Sequence, residues 1–96
     1  MITIDVPGTL LALIHLHDQF KDEYESENQT AQAQQFFNSR ATLLSYMISQ
    51  DALTNLTISA ENDLIRPLEI IQQMHLKIFN VEIQLYIEEL DQPRLA

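Results

Sequence analysis

The sequence has no cysteine, no tryptophan and one glycine in 96 residues, and few of its residues are basic. Without cysteine there is no disulfide framework, no thiolate nucleophile and no cysteine-based metal site. Gly8 and the three prolines, Pro7, Pro67 and Pro93, are the residues that most strongly interrupt the chain. Because sheets normally need glycine-rich turns between strands, this scarcity of turn residues favours long helices.

Five Lys and Arg residues stand against 14 Asp and Glu residues, which gives a formal net charge of −9. Nucleic-acid binding requires clustered basic side chains that neutralise phosphates, whereas here they are scattered along the chain. The same negative charge opposes anionic membranes, and no run approaches the roughly 18 apolar residues that span a bilayer. We therefore expect no direct contact with nucleic acid or membrane, and we expect a protein partner, preferably a basic one.

The N-terminus lacks the features of a secretory signal. The first basic residue is Lys21, and the apolar run from Leu10 to Leu16 leads into His17 and Asp18 without a small-residue cleavage site. We therefore expect a cytoplasmic protein. An apolar content of 46% predicts a packed chain, and its length predicts a single domain, 1–96. A core of this size is modest, so oligomerisation is expected.

Hydrophobic spacing predicts three helices behind an extended N-terminal arm. Residues 1–6 alternate apolar and polar side chains and end at Pro7-Gly8, so residues 1–8 form the arm or a short strand. Thr9 can cap a helix over about 9–25, and a second helix runs over about 29–50. With no glycine at their junction, fusion of these two helices stays open. A third helix over about 63–90 completes an all-α, three-helix or helical-hairpin bundle.

The third segment carries two apolar stripes if it is helical. With about 100° of rotation per residue, the stripes lie roughly 145° apart. One stripe is Ile71, Met74, Ile78, Val81 and Leu85, and the other is Leu76, Phe79, Ile83, Tyr86 and Leu90. Two shorter helices cannot cover both stripes, so the second stripe predicts contact with another chain. The predicted partner-binding residues in this segment are Leu76, Phe79, Ile83, Tyr86, Ile87 and Leu90.

The same segment also fits a strand. From Phe79 to Glu88 apolar and polar residues alternate with a period of two, which is typical of a half-buried strand. This alternative predicts a small α+β domain with strands near 2–6 and 78–88, together with a further strand near Leu56–Ile58. We favour the helix, because no turn residue separates Gln73 from Phe79.

No arrangement of residues predicts catalysis, a metal or a cofactor. His15, His17 and Asp18 are metal-ligand types, but residues two apart on a helix point about 200° away from each other. His15 with Asp18 supplies too few ligands unless His75 or another chain contributes. Nucleophile motifs and phosphate-binding loops are absent, so we expect a protein that is not an enzyme.

Two further features are candidates for partner binding. Asp18, Asp22 and Glu25 line one side of the first predicted helix, where carboxylates can steer a cationic partner. Phe36 and Phe37 point about 100° apart on a helix, so one of them is expected to reach an interface.

The leading hypothesis is a non-catalytic protein–protein interaction module, such as a small acidic helical chaperone, inhibitor, immunity or anti-factor protein, that forms a homodimer or a higher oligomer. The alternatives are a structural subunit of a secretion or phage assembly and an acidic nucleic-acid mimic that blocks a DNA-binding protein. All three rest on apolar stripes, acidic charge and the absence of catalytic motifs.

Overall fold

The structure is a computed structural model that describes residues 1–24 and 30–89, and at Tyr24 and Leu53 the backbone alone. These residues form three α-helices, three β-strands and two short 3₁₀ helices. In chain order the main elements are β1 (Ile2–Asp5), α1 (Val6–Tyr24), α2 (Ala31–Ser49), β2 (Thr57–Ala60), α3 (Ile65–Phe79) and β3 (Tyr86–Glu88). The fold is therefore α+β, and the prediction of an all-α bundle is wrong.

The error lies in the second half of the third predicted helix. α3 ends at Phe79, because Asn80 adopts a left-handed backbone with φ of 56°. The N–H of Asn80 donates to the carbonyl of Leu76 over 2.9 Å and closes the last turn. The chain then runs extended to β3. The α+β alternative, with strands near 2–6 and 78–88, has the right class, although the second strand is shorter, Tyr86–Glu88.

β1 is the central strand of an antiparallel sheet with the order β2-β1-β3. Ile4 pairs with Ile58 on one side and with Tyr86 on the other. Because strand side chains alternate, Ile2 and Ile4 are fully buried against the helices while Thr3 points to the opposite face. The segment predicted to be an arm thus holds the sheet together.

α1 begins directly where β1 ends, without a connecting loop. A carboxylate oxygen of Asp5 accepts the Gly8 N–H over 3.1 Å, and the Thr9 hydroxyl donates to the Asp5 carbonyl over 2.7 Å. Asp5 therefore caps the helix, in place of the predicted Thr9. A Cβ atom at position 8 would lie 2.6 Å from the Asp5 carboxylate, so the single glycine is needed for this contact. Pro7 fits the first turn, where no intrahelical donor is required.

α2 has its own N-cap. Thr30 is extended, and its hydroxyl oxygen accepts the Ala33 N–H over 3.1 Å. The same hydroxyl donates to the Glu23 carboxylate over 2.7 Å and so ties the start of α2 to the end of α1. α2 therefore starts anew at Ala31. The predicted helix junction itself lies outside the described residues.

α1 and α2 form an antiparallel hairpin. Near one end the rings of Phe20 and Phe36 stack with centroids 5.3 Å apart, and near the other end Leu10 lies beside Leu44. α3 packs against both helices, and its buried side chains are Leu68, Ile71, Met74 and His75. The helices cover one face of the sheet, and the opposite face, which carries Thr3, Ser59 and the exposed Ile87, is open.

Candidate docking surfaces

Of the six partner-binding residues predicted between positions 76 and 90, the five that the structure describes lie on different elements. Leu76 is 38% exposed on α3, and Phe79 is half-buried at the end of that helix. Ile83 is half-buried in the extended run that follows. Tyr86 and Ile87 lie on β3 and point to opposite faces of the sheet, and Leu90 lies outside the described residues. The argument from two stripes on one helix therefore fails, because the helix ends at Phe79.

Two histidines that the sequence separates by 60 positions meet at Phe79. The His15 and His75 rings lie 6.2 and 4.8 Å from the Phe79 ring, between centroids. Both histidines line a cavity of about 260 Å³ together with Ile83. His75 places its Nδ1 2.8 Å from the Val81 carbonyl, so this nitrogen carries the proton as a donor. Within residues 1–24 and 30–89, no three potential ligands of the His, Cys, Asp or Glu type lie close enough to hold a metal ion.

The acidic side of α1 is partly neutralised. Lys21 Nζ lies 2.9 Å from the Asp18 carboxylate, and both side chains are well exposed. The hydrogen bond and the charge of Lys21 lower the pKa of Asp18 below its usual value. Asp22 is exposed, and Glu25 lies outside the described residues. An exposed pair of this kind contributes little to stability, and it reduces the charge available to a partner.

The adjacent aromatics of α2 have different surroundings. Phe36 is fully buried and stacks on Phe20. Phe37 is half-buried and meets the His17 ring edge-on, with centroids 6.2 Å apart. Phe36 belongs to the core, so the predicted interface role for this pair depends on Phe37.

The helical hairpin exposes large apolar side chains on both of its helices. Ile14 on α1 is 63% exposed and Ile48 on α2 is 73% exposed. Leu10, Leu44 and Ile48 line a small, wholly apolar cleft of about 40 Å³. Ile14 follows Leu10 by one helical turn on the same side of α1, so we infer that it extends the apolar surface around this cleft. We call Leu10, Ile14, Leu44 and Ile48 the hairpin patch.

A signal for the hairpin patch is present in the sequence as doublets of apolar residues. Leu13-Ile14, Leu43-Leu44 and Met47-Ile48 each place two large side chains about 100° apart on a helix. In each doublet the first residue is buried and the second is half-buried or exposed. A doublet widens the apolar stripe beyond what a single neighbouring helix covers.

The outer edge of β3 is the second unusual surface. The Asp5 N–H donates to the Leu85 carbonyl over 2.8 Å, and the Glu89 N–H donates to the Met1 carbonyl over 2.9 Å. Backbone groups alternate in direction along a strand, so those of Tyr86 and Glu88 point away from β1. Among the described residues they have no hydrogen-bond partner. We call the outward-facing N–H and C=O groups of Tyr86 and Glu88 the β3 edge.

Carboxylates flank the β3 edge. The Tyr86 hydroxyl donates to Glu69 on α3 over 2.9 Å, and the Glu89 carboxylate accepts the Thr3 hydroxyl over 2.6 Å. Burial, the hydrogen bond to Glu69 and the charges of Glu69 and Glu88 raise the pKa of Tyr86 to about 12. Within the described part of the chain the one ion pair is Lys21–Asp18. The carboxylates of Glu69, Glu88 and Glu89 therefore have no cationic partner there.

A wide groove of about 810 Å³ separates the N-terminal half of α2 from α3. Its walls carry amide side chains together with Arg66, Glu69 and Lys77. The charges of these side chains are mixed, and no buried side-chain polar atom in the described chain lacks a hydrogen-bond partner.

Comparisons with known proteins place the chain in no family. No protein-family model, no curated protein and no solved structure matches it. None of the helices in the described residues combines the length and the apolar character needed to cross a membrane.

Proposed function

We propose that this chain is a non-catalytic protein–protein interaction module whose first partner is a second copy of itself, bound through the hairpin patch. The supporting observations are the exposure of Ile14 and Ile48 and the apolar cleft that Ile48 lines with Leu10 and Leu44, one helical turn from Ile14. Contiguous exposed apolar patches larger than a few hundred Å² are uncommon on monomeric proteins and mark interaction sites.

Charge restricts where a second copy can bind. The chain has a net charge of −9, so most pairings of two copies bring like charges together. The four side chains of the hairpin patch carry no charge, and contact there keeps carboxylates at the rim. Two antiparallel helical hairpins that meet face to face form a four-helix arrangement with a two-fold axis, in which each patch packs on its equal.

The expected affinity follows from the exposed area. Fully burying an isoleucine side chain contributes about 1.5–3 kcal/mol, so a side chain about two-thirds exposed contributes about 1–2 kcal/mol. Ile14 and Ile48 from two copies then give about 4–8 kcal/mol, which must offset an association cost of similar size. Because even about 8 kcal/mol corresponds only to micromolar binding and the association cost reduces it, we expect a weak, concentration-dependent dimer with a dissociation constant in the high-micromolar to millimolar range.

Sedimentation equilibrium of the full chain over a range of concentrations tests the proposal. Ile14→Ser and Ile48→Ser should each weaken dimerisation about tenfold or more, since each removes an apolar contact from both copies. Ile87→Ser is a matched control, because Ile87 is equally exposed, at 64%, but lies on the sheet. A wild-type chain that stays monomeric at millimolar concentration contradicts the proposal, as does equal weakening by Ile87→Ser.

A structural subunit of a larger assembly is the second candidate. It is favoured by the presence of two surfaces of different chemistry, the hairpin patch and the β3 edge, on different parts of the fold. A chain that binds through two unlike surfaces builds open or multicomponent assemblies, whereas one self-complementary surface closes a dimer. Growth of the wild-type chain beyond a dimer with rising concentration supports this role, and a dimer that stays closed argues against it.

A further inference from the structure

We infer that the β3 edge accepts an extended, basic segment of another protein, which pairs with Tyr86–Glu88 as a fourth strand of the sheet. This inference goes beyond the self-association proposed above and involves a different surface. It depends on the direction of the backbone groups, on the carboxylates beside them and on the side chains that a paired strand would meet.

The backbone provides the docking points. Hydrogen bonds at Leu85 and Glu89 direct the groups of alternate residues toward β1, which leaves the N–H and C=O of Tyr86 and Glu88 facing outward. An added strand can form four backbone hydrogen bonds with these two residues. This is the mode in which a peptide extends an exposed sheet edge, with backbone bonds giving affinity and side chains giving specificity.

β2, the other outer strand, differs from β3 in this respect. The Val6 N–H donates to the Leu56 carbonyl, so by the same alternation the backbone groups of Thr57 and Ser59 face outward. The Tyr46 hydroxyl donates to the Ser59 carbonyl over 2.7 Å and occupies that acceptor. No described side chain occupies the corresponding carbonyls of β3, so we assign the docking edge to β3.

The side chains of β3 select a basic partner. Tyr86 and Glu88 share the face of the sheet that carries Glu69 at the Tyr86 hydroxyl. A Lys or Arg opposite Glu88 forms a direct ion pair, and one opposite Tyr86 lies near Glu69. Ile87 points to the other face and is 64% exposed, so an apolar residue suits the position opposite it. The expected segment therefore reads basic, apolar, basic.

A second copy does not fit the same edge. Antiparallel pairing of two β3 strands about Ile87 places Glu88 of one copy opposite Tyr86 of the other, whose hydroxyl is bound to Glu69. Carboxylates then approach each other at both ends of the pair, and like charges across a sheet are destabilising. Acidic side chains at an outer strand also act in nature to prevent such pairing between copies.

The test uses the full chain labelled with ¹⁵N and three synthetic peptides built around Lys-Val-Lys. The first peptide is unmodified, the second has Glu in place of both Lys residues, and the third is methylated at the amides that would face β3. The third peptide keeps the charge but cannot donate the backbone bonds. We expect the first peptide to shift the amide signals of Tyr86 and Glu88 and to slow their hydrogen exchange, and we expect the other two to leave them unchanged.

Variants of the protein separate strand pairing from general attraction. Glu88→Lys should weaken the Lys-Val-Lys peptide about tenfold or more, and Glu69→Gln should weaken it less, because one charge is lost and none is reversed. Ile14→Ser should leave peptide binding unchanged even if it abolishes the dimer, so failure of this inference and failure of the proposed function are distinguishable.

Four results would overturn the inference. The methylated peptide could bind as well as the unmodified one, which would reduce the contact to charge attraction. The largest shifts could fall away from Tyr86 and Glu88. The amides of these residues could become protected as the concentration of the chain alone rises, which would make a second copy the occupant. They could also be protected in the monomer without any peptide, which would show that the edge is already covered.

Discussion

Asn80 decides where the third helix stops, and replacing it tests the fold directly. Its backbone is left-handed, with φ of 56° and ψ of 32°. A residue with a Cβ atom has about 1–2 kcal/mol of strain in this conformation, and the strain is smaller for asparagine and absent for glycine. We expect Asn80→Ala to lower the free energy of unfolding by about 1 kcal/mol and Asn80→Gly to change it by less than about 0.5 kcal/mol.

The sign of the change in stability caused by Asn80→Ala distinguishes a helix that ends at Phe79 from a helix that continues to residue 90. If the helix continued to residue 90, alanine would raise both stability and helicity, because its helix propensity exceeds that of asparagine by about 0.6 kcal/mol. Urea unfolding followed by far-ultraviolet circular dichroism measures both quantities. In a domain of this size a loss of 1 kcal/mol lowers Tm by about 4–8 °C, which is readily detected. Gln73→Ala, at an exposed position within α3, is the matched control. A more stable and more helical Asn80→Ala variant would refute the placement of the helix end.

Two further predictions concern aromatic side chains. Phe36→Ala should lower the free energy of unfolding by about 3–5 kcal/mol, and Phe37→Ala, at a half-buried position, by about 1–2 kcal/mol; equal losses in urea unfolding would contradict the different burial of the two rings. The pKa of Tyr86 is raised to about 12 in the folded state, above the unfolded value near 10, so its contribution to stability is constant below about pH 10 and is lost as pH rises toward 12 and beyond. Tyr86→Phe should flatten this decline in unfolding experiments at high pH, and an identical slope in both proteins would contradict the shift.

The sequence predicts helices well where their periodicity is unambiguous. The predicted helices over 9–25 and 29–50 compare with α1 at Val6–Tyr24 and α2 at Ala31–Ser49. The difference at the start of α1 has a local cause, since the Asp5 cap removes the need for a loop after the strand. Alternation within residues 1–6 also suggested the strand that became β1. Local chemistry dominates at these positions, so local patterns suffice.

Residues 79–88 could not be assigned in the same way, because their apolar spacing fits both a helix, with 3.6 residues per turn, and a strand, with a period of two. The outcome depends on partners far away in the sequence. Tyr86 pairs with Ile4 in the sheet. The side chain of Leu85 is buried, and its backbone N–H donates to Gln72 Oε1 over 2.7 Å. A window of ten residues contains none of this information. Asn80 is compatible with a helix end, but a single asparagine is a weak signal.

Surfaces are harder to predict than elements, because exposure depends on which faces the neighbours cover. The sequence predicts that either Phe36 or Phe37 reaches an interface, and only the fold shows that the Phe36 ring is buried while the Phe37 ring is half-buried. Ile14 has helical spacing with Leu10, which is typical of a core position. α1 has a broad apolar face, and α2 and α3 cover part of it. Ile14 belongs to the part that they leave uncovered.

The acidity of the chain explains why the two proposed contacts should respond differently to salt. At the hairpin patch no charge is buried, so raising the ionic strength should leave dimerisation unchanged or strengthen it slightly. At the β3 edge, Glu69 and Glu88 attract a basic strand over a distance that shrinks to about 10 Å at 0.1 M salt, so peptide binding should weaken steeply. A dimer that dissociates in salt would mean that charged rims, and not Ile14 and Ile48, hold it together. A peptide that binds equally well at high salt would mean that backbone pairing alone accounts for the affinity, and the carboxylates would then have no part in selecting the partner.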